Sequence, residues 1–150
     1  DPFAVVVDYA HTPDSLEEVY HALARSNGAL ICVLGSAGGG RDTWKRQEFG
    51  RIASEYCATI VVTNEDPYDE NPAHIIDEIV VGVSDQKKMC THKILDRREA
   101  IRFALSAAKK GDTVVLTGKG SEPWIIGPHG TRTPWSESMV AREELVEKIK

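Results

Sequence analysis

Short apolar runs alternate along the chain with stretches in which apolar residues recur every three or four positions. Ala4 to Asp8, Ala29 to Gly35, Thr59 to Asn64 and Thr113 to Gly118 are rich in Val, Ile and Leu, and each ends in polar residues or glycine. Strands buried on both faces of a parallel sheet have this composition. A weaker run lies near Met89 to Leu95. Between the runs, Leu16, Val19, Tyr20 and Leu23 keep helical spacing, as do Phe49, Ile52, Ala53 and Tyr56. The same spacing returns at Ile75, Ile76, Ile79, Val80 and Val83, and at Ala100, Ile101, Ala104, Leu105 and Ala108, so four amphipathic helices are predicted. Thr12 is placed to cap a helix whose first residue is Pro13, Asp96 to cap another with Glu99 as capping-box partner, and Ser136 to cap a last helix reaching about Ile149. Gly28 and Gly111 are expected as helix stops.

Strand–helix alternation with short connections implies an α/β, Rossmann-like fold: an open, mostly parallel sheet with helices on both faces. Trp124 to Trp135, with Gly127-Pro128-His129-Gly130 between two apolar edges, predicts a hairpin and therefore an antiparallel edge strand. The 150 residues, 41% hydrophobic and 27% charged, suit one domain over 1–150 with a single ordinary core. A formal net charge of −5 supplies no general attraction to nucleic acid or an anionic membrane. No apolar stretch approaches the roughly 20 residues that span a bilayer. Cys32, Cys57 and Cys90 are odd in number, widely spaced and set among apolar residues, which predicts reduced core thiols and a cytoplasmic protein.

Sheets of this kind bind ligands outside the carboxyl ends of their strands. Here those ends carry Asp8 to Pro13, Gly35 to Arg46, Thr63 to Tyr68 and Gly118 to Glu122, four polar loops converging on one rim. The run Gly35-Ser36-Ala37-Gly38-Gly39-Gly40-Arg41-Asp42 lacks both the Lys-Ser/Thr of a Walker A loop and GxGxxG spacing, so it is not the main phosphate holder. A solvated loop with an exposed Arg/Lys cluster is the plainer reading. Asn64 to Pro72 is acidic and stiffened by Pro67 and Pro72; its carboxylates suit an amine, a metal, or only the dipole of the helix that follows. Gly118-Lys119-Gly120-Ser121-Glu122 has glycines on either side of a lysine, a sign of backbone closely approached by a ligand, and Ser121 lacks the GxSxG elbow of a nucleophile. Of the five histidines only His11 falls in a candidate site.

Together, Asp8-Tyr9-Ala10-His11-Thr12-Pro13-Asp14-Ser15-Leu16, the glycine-rich loop ending Arg41-Asp42 with Lys45-Arg46, Thr63-Asn64-Glu65-Asp66-Pro67, and Gly118-Lys119-Gly120-Ser121-Glu122 resemble the carboxy-terminal domain of Mur ligases. In order and spacing they are most similar to the MurE type, UDP-N-acetylmuramoyl-L-alanyl-D-glutamate:amino-acid ligase. The resemblance implies ATP-dependent peptide-bond formation in cell-wall assembly: the γ-carboxylate of a D-glutamyl residue is phosphorylated, an incoming amine attacks the acyl phosphate, and phosphate leaves. It implies ATP and Mg2+ in a full-length enzyme, with none held by this domain alone. It also places the UDP-sugar site and the ATPase centre on amino-terminal and central domains outside this chain, which alone is then expected to be inactive. The partners implied are those two domains, the amino acid, ATP and UDP-MurNAc-dipeptide. The closing carboxy-terminal domain excludes water from a hydrolysable intermediate.

Residue by residue, Arg41 matches the arginine that binds the amino acid's carboxylate. Gly118 and Glu122 match contacts to its far end, and Asp8 and His11 match the loop that meets ATP. Where diaminopimelate-adding enzymes usually carry Asp-Asn-Pro-Arg, this chain has Glu65-Asp66-Pro67-Tyr68, and Gly-Lys-Gly-His-Glu becomes Gly-Lys-Gly-Ser-Glu. The extra carboxylate at Asp66 and the missing cation at Tyr68 disfavour a distal carboxylate, so a lysine-like diamino acid is expected over meso-diaminopimelate. The alternatives are a stand-alone nucleotide-binding or interaction module, and the carboxy-terminal domain of a folylpolyglutamate or cyanophycin synthetase.

Overall fold

The computed structural model describes residues 3–24, 28–40 and 42–149. Five strands lie side by side in the order β1 (Ala4–Asp8), β5 (Thr113–Thr117), β2 (Leu30–Leu34), β3 (Thr59–Val62), β4 (Thr91–Lys93), and every neighbouring pair is parallel. The period of two along each strand divides the core. Leu30, Cys32, Leu34, Ile60, Val62 and Val115 face α1 (Pro13–Leu23), α2 (Trp44–Tyr56) and α3 (Pro72–Val81), meeting Leu16, Tyr20, Phe49, Ile52, Ile76 and Ile79. The alternate residues Ile31, Val33, Val61, Val114 and Leu116 face α4 (Arg97–Ala107) and α5 (Glu137–Ile149), meeting Ile101, Leu105 and Val140. Both faces of the central strands are thus buried, which is why they read as unbroken apolar runs. Among the described residues no helix is long and apolar enough to cross a membrane.

The helix starts follow the sequence signals. Thr12 and Ser15 form a reciprocal capping box ahead of Pro13. Asp96 accepts the Glu99 N–H at 2.9 Å, without the return bond of a full box. Ser136 accepts the Met139 N–H at the start of α5. The expected glycine stops differ. Helix α4 ends at Ala107 with Ala108 as its cap, and α1 at Leu23 with Ala24, so Gly28 and Gly111 lie several residues beyond their helices. Gly28 packs so tightly on Gly111 that a Cβ there would stand 1.9 Å from the Gly111 carbonyl oxygen.

The hairpin forms as β6 (Trp124–Ile126) and β7 (Arg132–Pro134), antiparallel and standing as a two-stranded sheet of its own. It is clipped to the loop after β3: Tyr68 N–H donates to the Ile126 carbonyl at 3.1 Å, and Asp69 accepts the His129 N–H at 2.8 Å. The expectation of reduced thiols is overturned, because Cys32 and Cys57 are joined in a disulfide with Cα atoms 6.1 Å apart; Cys90 is free. The cause is topological. Cys32 points to the α2 face, and Cys57 caps α2 just before the chain re-enters the sheet as β3, next to β2. A βαβ return brings together two thiols 25 residues apart whose spacing alone resembles no disulfide frame.

Candidate functional site

A cleft of about 500 Å3 opens over the carboxyl ends of β1, β2, β3 and β5, within the size range of small-molecule sites. Tyr9 and His11 line it from the loop after β1, Gly35 to Gly39 with Asp42, Lys45 and Phe49 from the segment after β2, Glu65, Asp66 and Tyr68 after β3, and Gly118 and Glu122 after β5. The four loops expected to converge do so. Of the residues singled out from sequence, His11, Glu65, Asp66, Tyr68, Gly118 and Glu122 line the cleft. Asp8 is not among the lining residues, and its carboxylate accepts the Ala10 N–H at 2.8 Å. Arg41 lies outside the described residues.

The glycine-rich wall is built by close approach. Gly38 donates to the Asp66 carbonyl at 2.7 Å, and a Cβ at Gly38 would stand 2.0 Å from the Pro67 carbonyl oxygen, so only glycine fits. Behind it Arg46 is buried, not part of an exposed basic cluster. Its guanidinium donates to Glu70 at 2.5 Å, to Glu78 at 2.7 Å and to the Ala37 carbonyl at 3.4 Å, tying the wall to α3. The hydrogen bond from Arg46, aided by its charge, holds the Glu78 carboxyl below its ordinary value.

The opposite side carries the acids. Lys119, wholly buried, donates to Asp66 Oδ1 at 2.8 Å, and the same oxygen accepts the Ile126 N–H at 2.9 Å. The Asp66 charge is thus met inside the protein. Glu65 is 7% exposed and, among the described residues, no hydrogen bond holds its carboxylate. Desolvation pushes its pKa up to about 7, while the nearby guanidinium of Arg97 opposes the rise. Gly118 sits against it: with φ +103° and room for no Cβ, which would come within 2.0 Å of Glu65 Oε1, this position requires glycine. Glu122 stands near Tyr9, whose phenol its charge pushes up. Tyr9 is half exposed, and its ring lies 4.5 Å from that of His11, an open aromatic pair at the rim.

A second cation lies beneath. Arg97 at the first turn of α4 is 3% exposed and donates Nη1 to the Asn64 carbonyl at 2.8 Å and Nη2 to the Thr117 carbonyl at 2.9 Å. Its Nε and Nη2 also form a fork with the two oxygens of buried Glu137, at 3.0 and 2.5 Å. Sequence reasoning passed over Arg97 and Lys119. For Lys119 the flanking glycines marked the segment but not the pairing. For Arg97 one signal existed: a cation in the first helical turn opposes the helix dipole and calls for a partner. Arg97 is ion-paired with Glu137 and Lys119 with Asp66, whereas among the described residues the carboxylates of Glu65 and Glu122 on the cleft wall have no ion-pair partner.

The comparisons agree on one family. Residues 1–120 match the family described as Mur ligase, glutamate ligase domain. The chain is 42% identical over 146 residues to a UDP-N-acetylmuramoyl-L-alanyl-D-glutamate--2,6-diaminopimelate ligase of Aquifex aeolicus, covering 97% of this chain and 30% of that protein. It is 49% identical over 126 residues to the protein of the same name from Syntrophomonas wolfei, covering 83% of this chain and 25% of that protein. A solved structure of a 2,6-diaminopimelate ligase of this type superposes with a TM-score of 0.91 at 34% identity, over all of this chain and 30% of the other. The chain therefore spans about a third or less of the length of these relatives.

Proposed function

The chain belongs to the Mur ligase glutamate ligase domain family, and on that premise we propose that it is the amino-acid-receiving, nucleotide-contacting domain of an ATP-dependent ligase. That ligase joins a diamino acid to UDP-MurNAc-L-Ala-D-Glu. The observation that carries the reading is the surplus of negative charge on the cleft wall. Among the described residues Glu65 has no hydrogen-bond partner, Glu122 stands beside it, and the Gly118 backbone approaches within reach, a set complementary to an ammonium. Arg41, by its place in the motif, takes the carboxylate of the same amino acid. The open Tyr9–His11 pair fits the planar edge of a nucleotide. On the family resemblance, Mg2+ is assigned with the ATPase centre to residues of other domains.

In this reading the amine that attacks the acyl phosphate is held between loops of this domain and a central domain that closes on it. Closure keeps water from the activated acyl group, and the chain's own contribution is orientation. The chain alone turns over no substrate.

The distal end of the diamino acid is assigned a simple ammonium, as in lysine or ornithine. The relatives' names point to diaminopimelate, whose second carboxylate needs a cation. Position 68 holds Tyr68, with φ +53° and its side chain on the cleft; the buried cations Arg46, Lys119 and Arg97 are already paired, and Lys45 on the opposite wall pairs with Asp42 at 3.4 Å. Phosphate release by the full-length enzyme, measured with lysine, ornithine and meso-diaminopimelate in turn, tests both levels. Dependence on a diamino acid supports the ligase, and a preference for meso-diaminopimelate overturns the lysine-like assignment alone.

A further inference from the structure

Strands β3 and β5 deliver the two arms of the amine site, yet β2 lies between them. No ladder hydrogen bond runs from β3 to β5, so their carboxyl ends need another tie. Arg97 supplies one. Its Nη1 holds the carbonyl of Asn64, the residue before Glu65, and its Nη2 holds the carbonyl of Thr117, the residue before Gly118. The planar fork fixes both contacts in one geometry. Glu137, which also accepts the Trp135 indole N–H at 3.0 Å, anchors the other edge of the guanidinium, so the fork does not swing. A buried and a partly buried carbonyl, a buried carboxylate and an arginine at a helix start, where the dipole disfavours it, form a costly arrangement for packing alone.

We propose that Arg97 is a positioning residue: it holds the ends of β3 and β5 at the spacing, and in the electrostatic field, in which Glu65 meets the substrate ammonium. This rests on the reading of the cleft as an amine site. The charged and titratable groups around Glu65 are Arg97 from α4, Asp66 beside it in the loop, and Lys119 and Glu122 from the segment after β5; Tyr9 faces the same acids from the loop after β1. Both cations are ion-paired, Lys119 to Asp66 and Arg97 to Glu137, and of the two the guanidinium of Arg97 acts more strongly in favour of an ionised Glu65.

The test compares three forms of the full-length ligase: wild type, Arg97→Lys, and the double variant Arg97→Gln/Glu137→Gln, which removes both buried charges and leaves neither stranded. The readout is the pH dependence of KM for the diamino acid with kcat measured alongside. In the 150-residue chain, the carboxyl carbon-13 shift of Glu65 is titrated by NMR. The double variant is expected to move the midpoint of both curves up by about one pH unit, which at pH 7 raises KM about fivefold with kcat changed less. Arg97→Lys keeps the wild-type midpoint while KM rises through lost geometry. Unchanged midpoints in a folded double variant overturn the inference, as does an unfolded double variant beside a folded Arg97→Lys whose midpoint has moved. If wild-type enzyme shows no diamino-acid-dependent turnover while the NMR midpoint still moves, the amine-site reading fails and the charge coupling stands.

Discussion

Replacing Glu65 by glutamine is expected to raise stability in neutral and alkaline solution and leave it nearly unchanged in acid. The side chain is buried, has no hydrogen bond among the described residues, and titrates at about 7 instead of the ordinary 4.5. The direction follows from linkage. Below pH 4.5 the carboxyl is protonated in folded and unfolded chains alike, and its contribution is fully present. Between 4.5 and 7 the unfolded chain releases its proton first, so stability falls as pH rises, and above 7 the loss is complete. At about 1.4 kcal/mol for each tenfold change in proton affinity, that loss is about 3 kcal/mol. Glutamine keeps the shape and carries no charge to desolvate. The assay is urea unfolding of both proteins from pH 4.5 to 9, plotted as the difference in unfolding free energy. All other groups are common to the pair and drop out, so the difference curve should climb by about 3 kcal/mol with its upper bend near pH 7, matching a gain of about 6–12 °C in Tm for a chain this size. A flat difference curve, or a glutamine variant less stable at pH 8.5, refutes the account of Glu65 as a carboxylate ionised at a cost. The same variant in the full-length enzyme should bind the diamino acid more weakly, since the charge that costs stability is the one that faces the ammonium.

Three further outcomes are expected. Lys119→Met strands the Asp66 carboxylate and should cost about 3–5 kcal/mol in urea unfolding, whereas Lys119→Met/Asp66→Asn should recover much of it; equal losses in both would show that the pair is not coupled. Tyr68→Arg should shift relative kcat/KM in the full-length enzyme from lysine toward meso-diaminopimelate by about tenfold or more, read by phosphate release. Cys32→Ala/Cys57→Ala should lower unfolding free energy under non-reducing conditions by about 3 kcal/mol, as for a loop closed across 25 residues, and a reductant should then make no difference to the variant's Tm.

The sheet was legible because its central strands are covered on both sides, so that Leu30 to Leu34 and Thr113 to Thr117 have no polar alternation to mislead. The rim was legible for a related reason: strands of this kind end where polarity returns, and the four returns converge. What stayed hidden involves residues far apart in sequence. Cys32 and Cys57, Arg97 and Glu137, and Lys119 and Asp66 are 25, 40 and 53 residues apart, and each is ordinary in its local setting. Lys119 and Arg97 look like solvated cations until the fold brings a carboxylate to each. The reading of Asp66 as an added negative charge in the cleft changes for that reason, and Glu65, its neighbour with no such partner among the described residues, becomes the acid that matters.

The division of the core by the sheet has a consequence for how the domain tolerates change. Side chains at Cys32 and Val33 are adjacent in sequence and belong to different packing layers, separated by the backbone of β2. A volume lost on one side cannot be refilled from the other. Substitutions in opposite layers should therefore behave as independent events, whereas pairs within one layer compensate or conflict. The layer of α1, α2 and α3 continues into the Tyr9, glycine-rich and acidic loops, and that of α4 and α5 into the Arg97 clamp. Two nearly separate sets of mutations can thus reach the same cleft, one by reshaping its walls and the other by resetting the charge beneath them.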